Sequence, residues 1–448
     1  MSDITRGQGR RNAKLAALPL GMAGRAAAGF GKRLAGKSKD EVSAELMEKT
    51  AEQLFEVLGQ LKGGAMKVGQ ALSIMEAAVP EEFGGPFREA LTKLQAEAPP
   101  MPIETVHKVL DQQLGTRWRE RFASFDDEPA ASASIGQVHK AVWADGRVVA
   151  VKVQYPGADQ ALKADLKTLS RMSGLIQKLS PGTDAKAMID ELIDRTEDEL
   201  DYIAEADHQR AFAKAFDGDP DFVVPKVVAS APKVVVSEWI EGTRLSKIIT
   251  DGTREQRNAA ATKMTTFEFS SPARVGLLHG DPHPGNFFVL DDGRFGILDF
   301  GAIGEYPDGL PAETGPILAL ARDQKYDELR ELLVQHNFIR PQYADKVSGD
   351  DLAKYLQPYV DPLYTDSFHF TRKWLQRAAG KATDVSGDVY KTSRLLNLPK
   401  EYVMVFRVLL GCVGIAAQLD AEAPYREIMY RWVPGLVEDE DAPVEPAP

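Results

Sequence analysis

Residues 279–301, HGDPHPGNFFVLDDGRFGILDFG, combine acidic and amide side chains with glycines, prolines and two short apolar runs. Asn286 and Asp299 carry the oxygen ligands that Mg²⁺ prefers, and they flank the runs FFVL and FGIL, which the turn DDGR joins. A β-hairpin over these runs would bring Asn286 and Asp299 together at its open end. Asp281, five residues before Asn286, could then take or orient the proton of an attacking oxygen. The pattern predicts metal-assisted phosphoryl transfer.

The same order, Asp-x-x-x-x-Asn, hairpin and Asp-Phe-Gly, is typical of the catalytic segment of protein kinases. Upstream, the run VVAVK places Lys152 at the end of a predicted strand, where a lysine could neutralise the α- and β-phosphates of ATP. Such a lysine needs an acidic partner, and the carboxylates of EDELDYIAEAD are the candidates. Each motif alone is weak, but their order and separation together favour a nucleotide-binding site.

Two features depart from ordinary protein kinases. No Gly-x-Gly-x-x-Gly precedes Lys152, and the equivalent place holds the alanine-rich run PAASASIGQVHKA. Because each alanine adds a Cβ that restricts the backbone, a loop of this composition is stiffer than a glycine-rich one. No Ala-Pro-Glu follows Asp299 at the usual distance, which argues against a peptide-docking platform.

The elements around these motifs predict two lobes. IGQVHKAVW and RVVAVKVQY, separated by ADG, indicate a hairpin, and KVVVSEWIEG indicates a buried strand. Helical spacing covers 159–180 and 185–215, dominates from 253 onward, and includes a buried helix over 408–417. We expect an α+β fold with a basic segment (1–40), a helical extension (41–125), a β-rich lobe (126–242), a helical lobe (243–435) and an acidic disordered tail (436–448).

Composition and charge limit the function classes. The single cysteine, Cys412, excludes an internal disulfide and fits a reducing cytoplasm, and no uninterrupted apolar run reaches the ~20 residues that span a membrane. The net charge is −12, yet residues 1–40 hold nine basic and two acidic residues, about +7, which leaves about −19 for the remainder. An acidic body argues against a nucleic-acid surface. The basic segment fits either peripheral contact with an anionic membrane or a flexible solvated arm.

Taken together, KVGQ, AASASIGQVHKA, VAVK, ELD, HGDPHPGN and DFG closely resemble the UbiB/AarF (ADCK) family of atypical kinases. The resemblance implies a protein-kinase-like two-lobed fold with an N-terminal helical KxGQ extension across the substrate cleft. It implies that Lys67 and Gln70 reach the site near Glu199 and Asp201. It also pairs Lys152 with Glu205, which on a continuous helix would lie about 120° from Glu199.

The resemblance implies ATP and Mg²⁺ as ligands, and ATP hydrolysis or phosphorylation of a small or lipid-linked substrate rather than of proteins. Family members support isoprenoid-quinone biosynthesis and associate with membranes, so a lipid or prenyl partner and a cytoplasmic, peripheral location are expected. A non-catalytic nucleotide-gated scaffold and a true protein kinase stay open as alternatives.

We expect Asp281 to act as base or water orienter and Asn286 and Asp299 to bind the metal. The residues expected to meet the nucleotide, besides Lys152, are Ala130, Ala131, Ser132, Ala133, Ser134 and Gly136 over the phosphates and Glu238, Trp239 and Ile240 beside adenine.

Overall fold

The structure is a computed structural model that describes residues 100–158 except Ser134, and residues 200–437 except Val385. The chain divides into two compact units, one of Met1–Pro100 with Gly157–Thr168 and one of Met101–Pro156 with Leu169–Pro448. Nearly all described residues belong to the second unit, which contains both lobes.

A five-stranded antiparallel sheet forms the first lobe, in the order β1-β2-β3-β6-β5. Helix α1 packs against one side of this sheet, and α2 follows β3 among the described elements. The elements are α1 (Ile103–Leu114), β1 (Phe122–Ala133), β2 (Gly136–Trp143), β3 (Val148–Gln154), α2 (Tyr202–Ala215), β4 (Phe222–Val223), β5 (Val227–Ala231) and β6 (Val234–Glu238).

Strand β3 shows how the sequence positions Lys152. Successive side chains of a strand point to opposite faces, and Val149, Val151 and Val153 are all fully buried in the core that contains α1. Lys152 therefore lies on the opposite face, towards the cleft. The predicted hairpin between β2 and β3 is confirmed, with Gly146 at positive φ in its turn.

The second lobe is helical and encloses the larger core. Its central helix, α4, begins at a capping box formed by Thr253 and Gln256 and ends at Gly276 in the left-handed conformation. The elements are β7 (Thr243–Arg244), α3 (Leu245–Asp251), α4 (Arg254–Val275), β8 (Leu277–His279), β9 (Phe287–Val289), β10 (Phe295–Ile297), β11 (Ile303–Glu305), α5 (Thr314–Arg322), α6 (Tyr326–Gln335), α7 (Gly349–Val360), β12 (Phe368–His369), α8 (Arg372–Thr383), α9 (Asp388–Ser393), α10 (Val403–Leu419), β13 (Glu422–Ala423) and α11 (Tyr425–Trp432).

The segment 279–301 begins at the last residue of β8, contains β9 and β10, and ends two residues before β11. The predicted hairpin of FFVL and FGIL is confirmed, because β9 and β10 pair antiparallel with Phe287 opposite Ile297. Strands β8 and β11 also pair, with His279 opposite Ile303, and the Gly280 amide donates to the Ala302 carbonyl at 2.7 Å. The loop after β8 and the Asp-Phe-Gly turn after β10 are thus brought side by side.

Two local predictions need correction. The predicted helix over 185–215 is not continuous: α2 begins at Tyr202, and Asp201 is its N-cap with non-helical angles, φ −90° and ψ 88°. The angle of 120° between Glu199 and Glu205 therefore does not apply. The alanine-rich run is also not an open loop, because β1 extends to Ala133, which pairs with Gly136.

One helical stretch within the described residues, Lys400–Leu419, is long and apolar enough to cross a bilayer, with a mean hydropathy of 1.9. It contains α10, and 61% of its apolar window is buried inside the protein. Such burial is what a core helix shows, in agreement with the buried helix predicted over 408–417.

Candidate active site

Lys152 is the centre of a buried charge cluster at the cleft. Its Nζ lies 2.6 Å from Glu205 Oε1 on α2 and 3.5 Å from Asp299 Oδ1 after β10. Burial by itself would lower the pKa of Lys152, but the carboxylates of Asp299 and Glu205 outweigh it and hold that pKa well above its usual value. Lys152 is therefore a fixed positive charge that joins the two lobes.

Both carboxylate oxygens of Asp281 are engaged. Asn286 Nδ2 donates to Asp281 Oδ2 at 3.1 Å and to its carbonyl at 3.0 Å. Arg407 of α10 donates from Nη2 to Asp281 Oδ1 at 2.8 Å. These contacts fix the orientation of the buried carboxylate.

Asn286 and Asp299 lie at the same end of the β9–β10 hairpin. The Leu298 amide donates to the Asn286 carbonyl at 2.8 Å, which places Asp299 one residue beyond that bond. The amide nitrogen of Asn286 faces Asp281, so its oxygen is directed elsewhere. One amide oxygen and one carboxylate fit Mg²⁺, which takes few protein ligands and completes its shell with phosphates and water.

A second buried ion pair contacts the backbone of Asp299. His279 and Glu268 of α4 are both 0% exposed, and Nδ1 of the histidine lies 3.0 Å from Oε1 of the glutamate. Burial would lower the pKa of His279, but the Glu268 carboxylate reverses this and raises it to about 9. His279 Nε2 also lies 2.8 Å from the Asp299 carbonyl.

The predicted adenine-contacting stretch follows β6. The amides of Glu238 and Trp239 donate to the carbonyls of Lys226 and Val148, each at 3.0 Å. These two amides therefore belong to the hydrogen bonding of the sheet. Lys140 lies over the Trp239 ring, 4.8 Å from its centroid.

The alanine-rich hairpin is formed by β1 and β2, and Gly136 at its end pairs with Gln154 of β3, two residues beyond Lys152. Ala133 pairs with Gly136 and Ser132 with Gln137, so the predicted phosphate-covering residues form the end of a β-ladder. A side chain at Gly136 would collide with the Val153 carbonyl and lie 2.9 Å from Tyr202 Oη. Gly136 is therefore required for the hairpin to pack closely on β3 and α2.

The remaining predicted site residues are not all placed. Lys67, Gln70, Glu199 and Ser134 lie outside the described residues. Asp201 is described, and its carboxylate caps α2 by accepting from the Ile203 and Ala204 amides, both at 3.0 Å. Lys152, Glu205 and Asp299 are brought together, as are Asp281 and Asn286.

Sequence reasoning missed Arg407, Glu268 and the role of His279. Arg407 is 126 residues from Asp281 and lies in an apolar helix, where an isolated arginine was the only available signal. Glu268 is an isolated acidic residue in the run TTFEFSSP, which is equally a weak signal.

This fold and this cluster define the class of protein-kinase-like proteins. Residues 93–331, more than half of the chain, match the family model described as ABC1 atypical kinase-like domain. The chain therefore belongs to the ABC1 family of atypical kinase-like proteins, the UbiB/AarF group that its motifs indicated.

Relatives and a solved structure agree with this assignment. The chain is 27% identical over 402 residues to probable serine/threonine-protein kinase abkA of Dictyostelium discoideum, covering 84% of this chain and 69% of that protein. It is 32% identical over 307 residues to the mitochondrial atypical kinase COQ8B of Danio rerio, covering 66% of this chain and 48% of that protein. The chain thus spans about half the length of the Danio relative.

The structure of Rv3197 from Mycobacterium tuberculosis in complex with erythromycin is also similar. It is 55% identical in sequence and has a TM-score of 0.67, with 90% of this chain and 100% of that chain covered.

Proposed function

We propose that this protein binds Mg·ATP in the cleft and either hydrolyses it or transfers its γ-phosphate to a small or lipid-linked substrate. The observation that carries the proposal is Lys152, held at 2.6 Å by Glu205 and at 3.5 Å by Asp299. A lysine in this arrangement neutralises the α- and β-phosphates, and the glutamate keeps it in place.

The other residues take roles that follow from their contacts. Asn286 and Asp299 would hold Mg²⁺, which supplies charge neutralisation at the phosphates when bound. Asp281 orients the attacking hydroxyl or water, since Arg407 and Asn286 fix its carboxylate. The alanine-rich hairpin covers the phosphates, and the backbone around Ile240 pairs with adenine.

A small or lipid-linked acceptor is favoured over a protein for two reasons. No Ala-Pro-Glu follows Asp299 at activation-segment distance in the sequence, so the usual platform for a peptide is absent. Relatives named COQ8 belong to the same family, which supports an isoprenoid-quinone-related substrate or regulator. A role on the cytoplasmic membrane face belongs to this proposal.

The test measures phosphate release from Mg·ATP by the purified chain, with and without anionic liposomes. Lys152→Met should abolish turnover, and transfer of labelled phosphate to protein should be undetectable. Nucleotide binding without turnover in any condition would favour the scaffold alternative. Labelling of a protein substrate that Asp281→Asn abolishes would favour a true protein kinase.

We infer a second ligand from the solved relative. Because that protein, 55% identical, was determined in complex with erythromycin, this chain should bind a macrolide. Isothermal titration with erythromycin tests this inference, and the absence of heat at millimolar macrolide would contradict it.

A further inference from the structure

The ion pair between Glu268 and His279 is costly for a protein core. Both side chains are fully buried, and burying charge is unfavourable unless the partners are well matched. Glu268 Oε2 has no hydrogen-bond partner among the described residues. A pair of apolar side chains would fill the same space at less cost, so the pair calls for a function.

The hydrogen bonds of His279 lead directly to the Asp-Phe-Gly turn. Its Nε2 lies 2.8 Å from the Asp299 carbonyl and 3.3 Å from the Leu298 carbonyl. Carbonyl oxygens only accept hydrogen bonds, so Nε2 must carry the hydrogen. Nδ1 faces the Glu268 carboxylate, which also only accepts, so both ring nitrogens donate and the two contacts together fix the plane of a charged ring.

The backbone that His279 holds is strained. Asp299 has φ +63°, in the left-handed region that residues other than glycine seldom adopt. A backbone in this conformation persists only when its surroundings hold it there. The donated hydrogen bond from His279 is one such restraint, and it acts on the residue whose carboxylate faces Lys152.

The same ring also holds the next residue. His279 packs edge-on against Phe300 with 5.6 Å between centroids, and Phe300 packs against Phe212 of α2 at 5.0 Å. Helix α2 carries Glu205, the partner of Lys152. Contacts thus run from Glu268 through His279 and Phe300 to the helix that positions the lysine.

We propose that Glu268 is a positioning residue for Asp299 and acts through His279. The proposal rests on the proposed function, in which Asp299 binds the metal. Groups that orient a metal ligand change metal affinity or activity by about 10- to 100-fold when they are removed. Glu268 touches neither the nucleotide nor the metal in this account.

The experiment compares Glu268→Gln with Glu313→Gln in the full chain. Glu313 also faces a histidine, with His336 Nδ1 at 3.4 Å from its Oε1, and its other oxygen accepts a hydrogen bond from Tyr402 at 3.1 Å. We expect Glu268→Gln to raise the Mg²⁺ concentration for half-maximal turnover by about tenfold or more. The affinity of Glu268→Gln for a fluorescent ATP analogue, measured without metal, should change less than about twofold. Glu313→Gln should leave both the Mg²⁺ dependence of turnover and this affinity unchanged.

A Glu268→Gln protein that melts at lower temperature but keeps the wild-type Mg²⁺ dependence would overturn the proposal, because its role would then be purely structural. If the variant cannot be purified, Glu268→Gln combined with His279→Gln carries the test, since two amides can pair and still donate to the Asp299 carbonyl. If the double variant reaches half-maximal turnover at a Mg²⁺ concentration within about threefold of wild type, the proposal is supported. A folded double variant whose turnover does not respond to Mg²⁺ would overturn it.

Mn²⁺ binding measured by electron paramagnetic resonance with ADP present provides a readout that needs no turnover. Wild-type protein that binds Mn²⁺ without hydrolysing ATP would contradict the proposed function alone. Weaker Mn²⁺ binding by Glu268→Gln would still support the positioning role, and equal binding would overturn it.

Discussion

At the scale of single residues, basic side chains hold the acidic side chains of the site in place. Lys152 does this for Glu205 and Asp299, and Arg407 does it for Asp281. The loop between Asp281 and Asn286 contains no lysine or arginine. Arg407 therefore brings positive charge to this loop from a different element, α10.

Replacing Arg407 by alanine should lower kcat for ATP turnover by about 100-fold, because the orienting carboxylate loses its charged hydrogen-bond donor. Arg407→Lys keeps the charge but not the guanidinium geometry, so it should fall between alanine and wild type. Steady-state kinetics of the purified variants check this prediction.

Arg377, an exposed arginine of α8, supplies the control, and Arg377→Ala should retain wild-type kcat. Equal kcat for Arg407→Ala and Arg377→Ala would show that the bond to Asp281 has no catalytic role.

At the scale of elements, α10 supports the catalytic loop along one face. Met404 lies against Gly280, Arg407 bonds Asp281, and Gly411 lies against Pro282. These three positions of α10 are spaced by three and four residues and so share a helical face. A core helix thus holds the catalytic loop in place. A loop supported in this way positions its side chains more precisely than an unsupported loop does.

Gly411→Ala tests this support. The added methyl would collide with the Pro282 ring, so we expect a loss of about 1–3 kcal/mol in the free energy of unfolding. Displacement of the loop should also lower kcat by about tenfold or more, since small misplacements of reacting groups are costly. Chemical denaturation and ATP turnover measure the two effects.

Gly380 of α8 is the matched control, because no atom beyond its chain neighbours and its own helix backbone lies within 4 Å of a Cβ added there. Gly380→Ala should stabilise the protein by about 0.5–1 kcal/mol and leave turnover unchanged. A Gly411→Ala enzyme as active as Gly380→Ala would contradict the supporting role of α10.

The sheet of the first lobe contains a pH-sensitive element. His139 of β2 is fully buried and stacks on Phe125, with Nδ1 2.9 Å from the Asp126 carbonyl and Nε2 accepting from Gln137 at 2.9 Å. Burial lowers the pKa of His139 below 6.5, and this outweighs the opposing hydrogen bond and the charges of Asp126 and Asp127.

As the pH falls, His139 takes up a proton in the unfolded chain before it does so in the folded chain. The stability due to neutral His139 is therefore present above pH 6.5 and declines as the pH falls. Wild type should therefore lose more stability between pH 7.5 and pH 5.5 than His139→Gln does. Thermal melting at both pH values measures the difference. The same loss in the wild-type and His139→Gln proteins would contradict this account.

At the scale of the whole molecule, the parts that the sequence predicted are those set by local spacing. The strand-forming run VVAVK placed Lys152 on β3, and turn residues placed Asn286 and Asp299 at one end of a hairpin. Arg407 could not be predicted, because its contact with Asp281 depends on how distant elements pack. In the sequence, Asp201 looks like one more acidic residue within a helix. Its role as an N-cap follows from its non-helical backbone angles, which the sequence does not show.

The charge distribution leads to a prediction about membranes. Residues 1–40, which lie outside the described residues, carry about +7 in a chain of net charge −12, and each basic residue near an anionic surface contributes about 1 kcal/mol. We expect salt-sensitive binding to liposomes that contain phosphatidylglycerol, lost when residues 1–40 are deleted. Sedimentation with liposomes measures it, and undiminished binding of the truncated protein would contradict the prediction.

The central claim is that Asp299 and Lys152 form a working Mg·ATP site. Its most direct test is phosphate release from Mg·ATP by wild type, Asp299→Asn and Asp291→Asn, since Asp291 is an exposed aspartate in the turn of the same hairpin. We expect turnover by wild type and Asp291→Asn, and none by Asp299→Asn. Equal turnover by all three proteins would contradict the account.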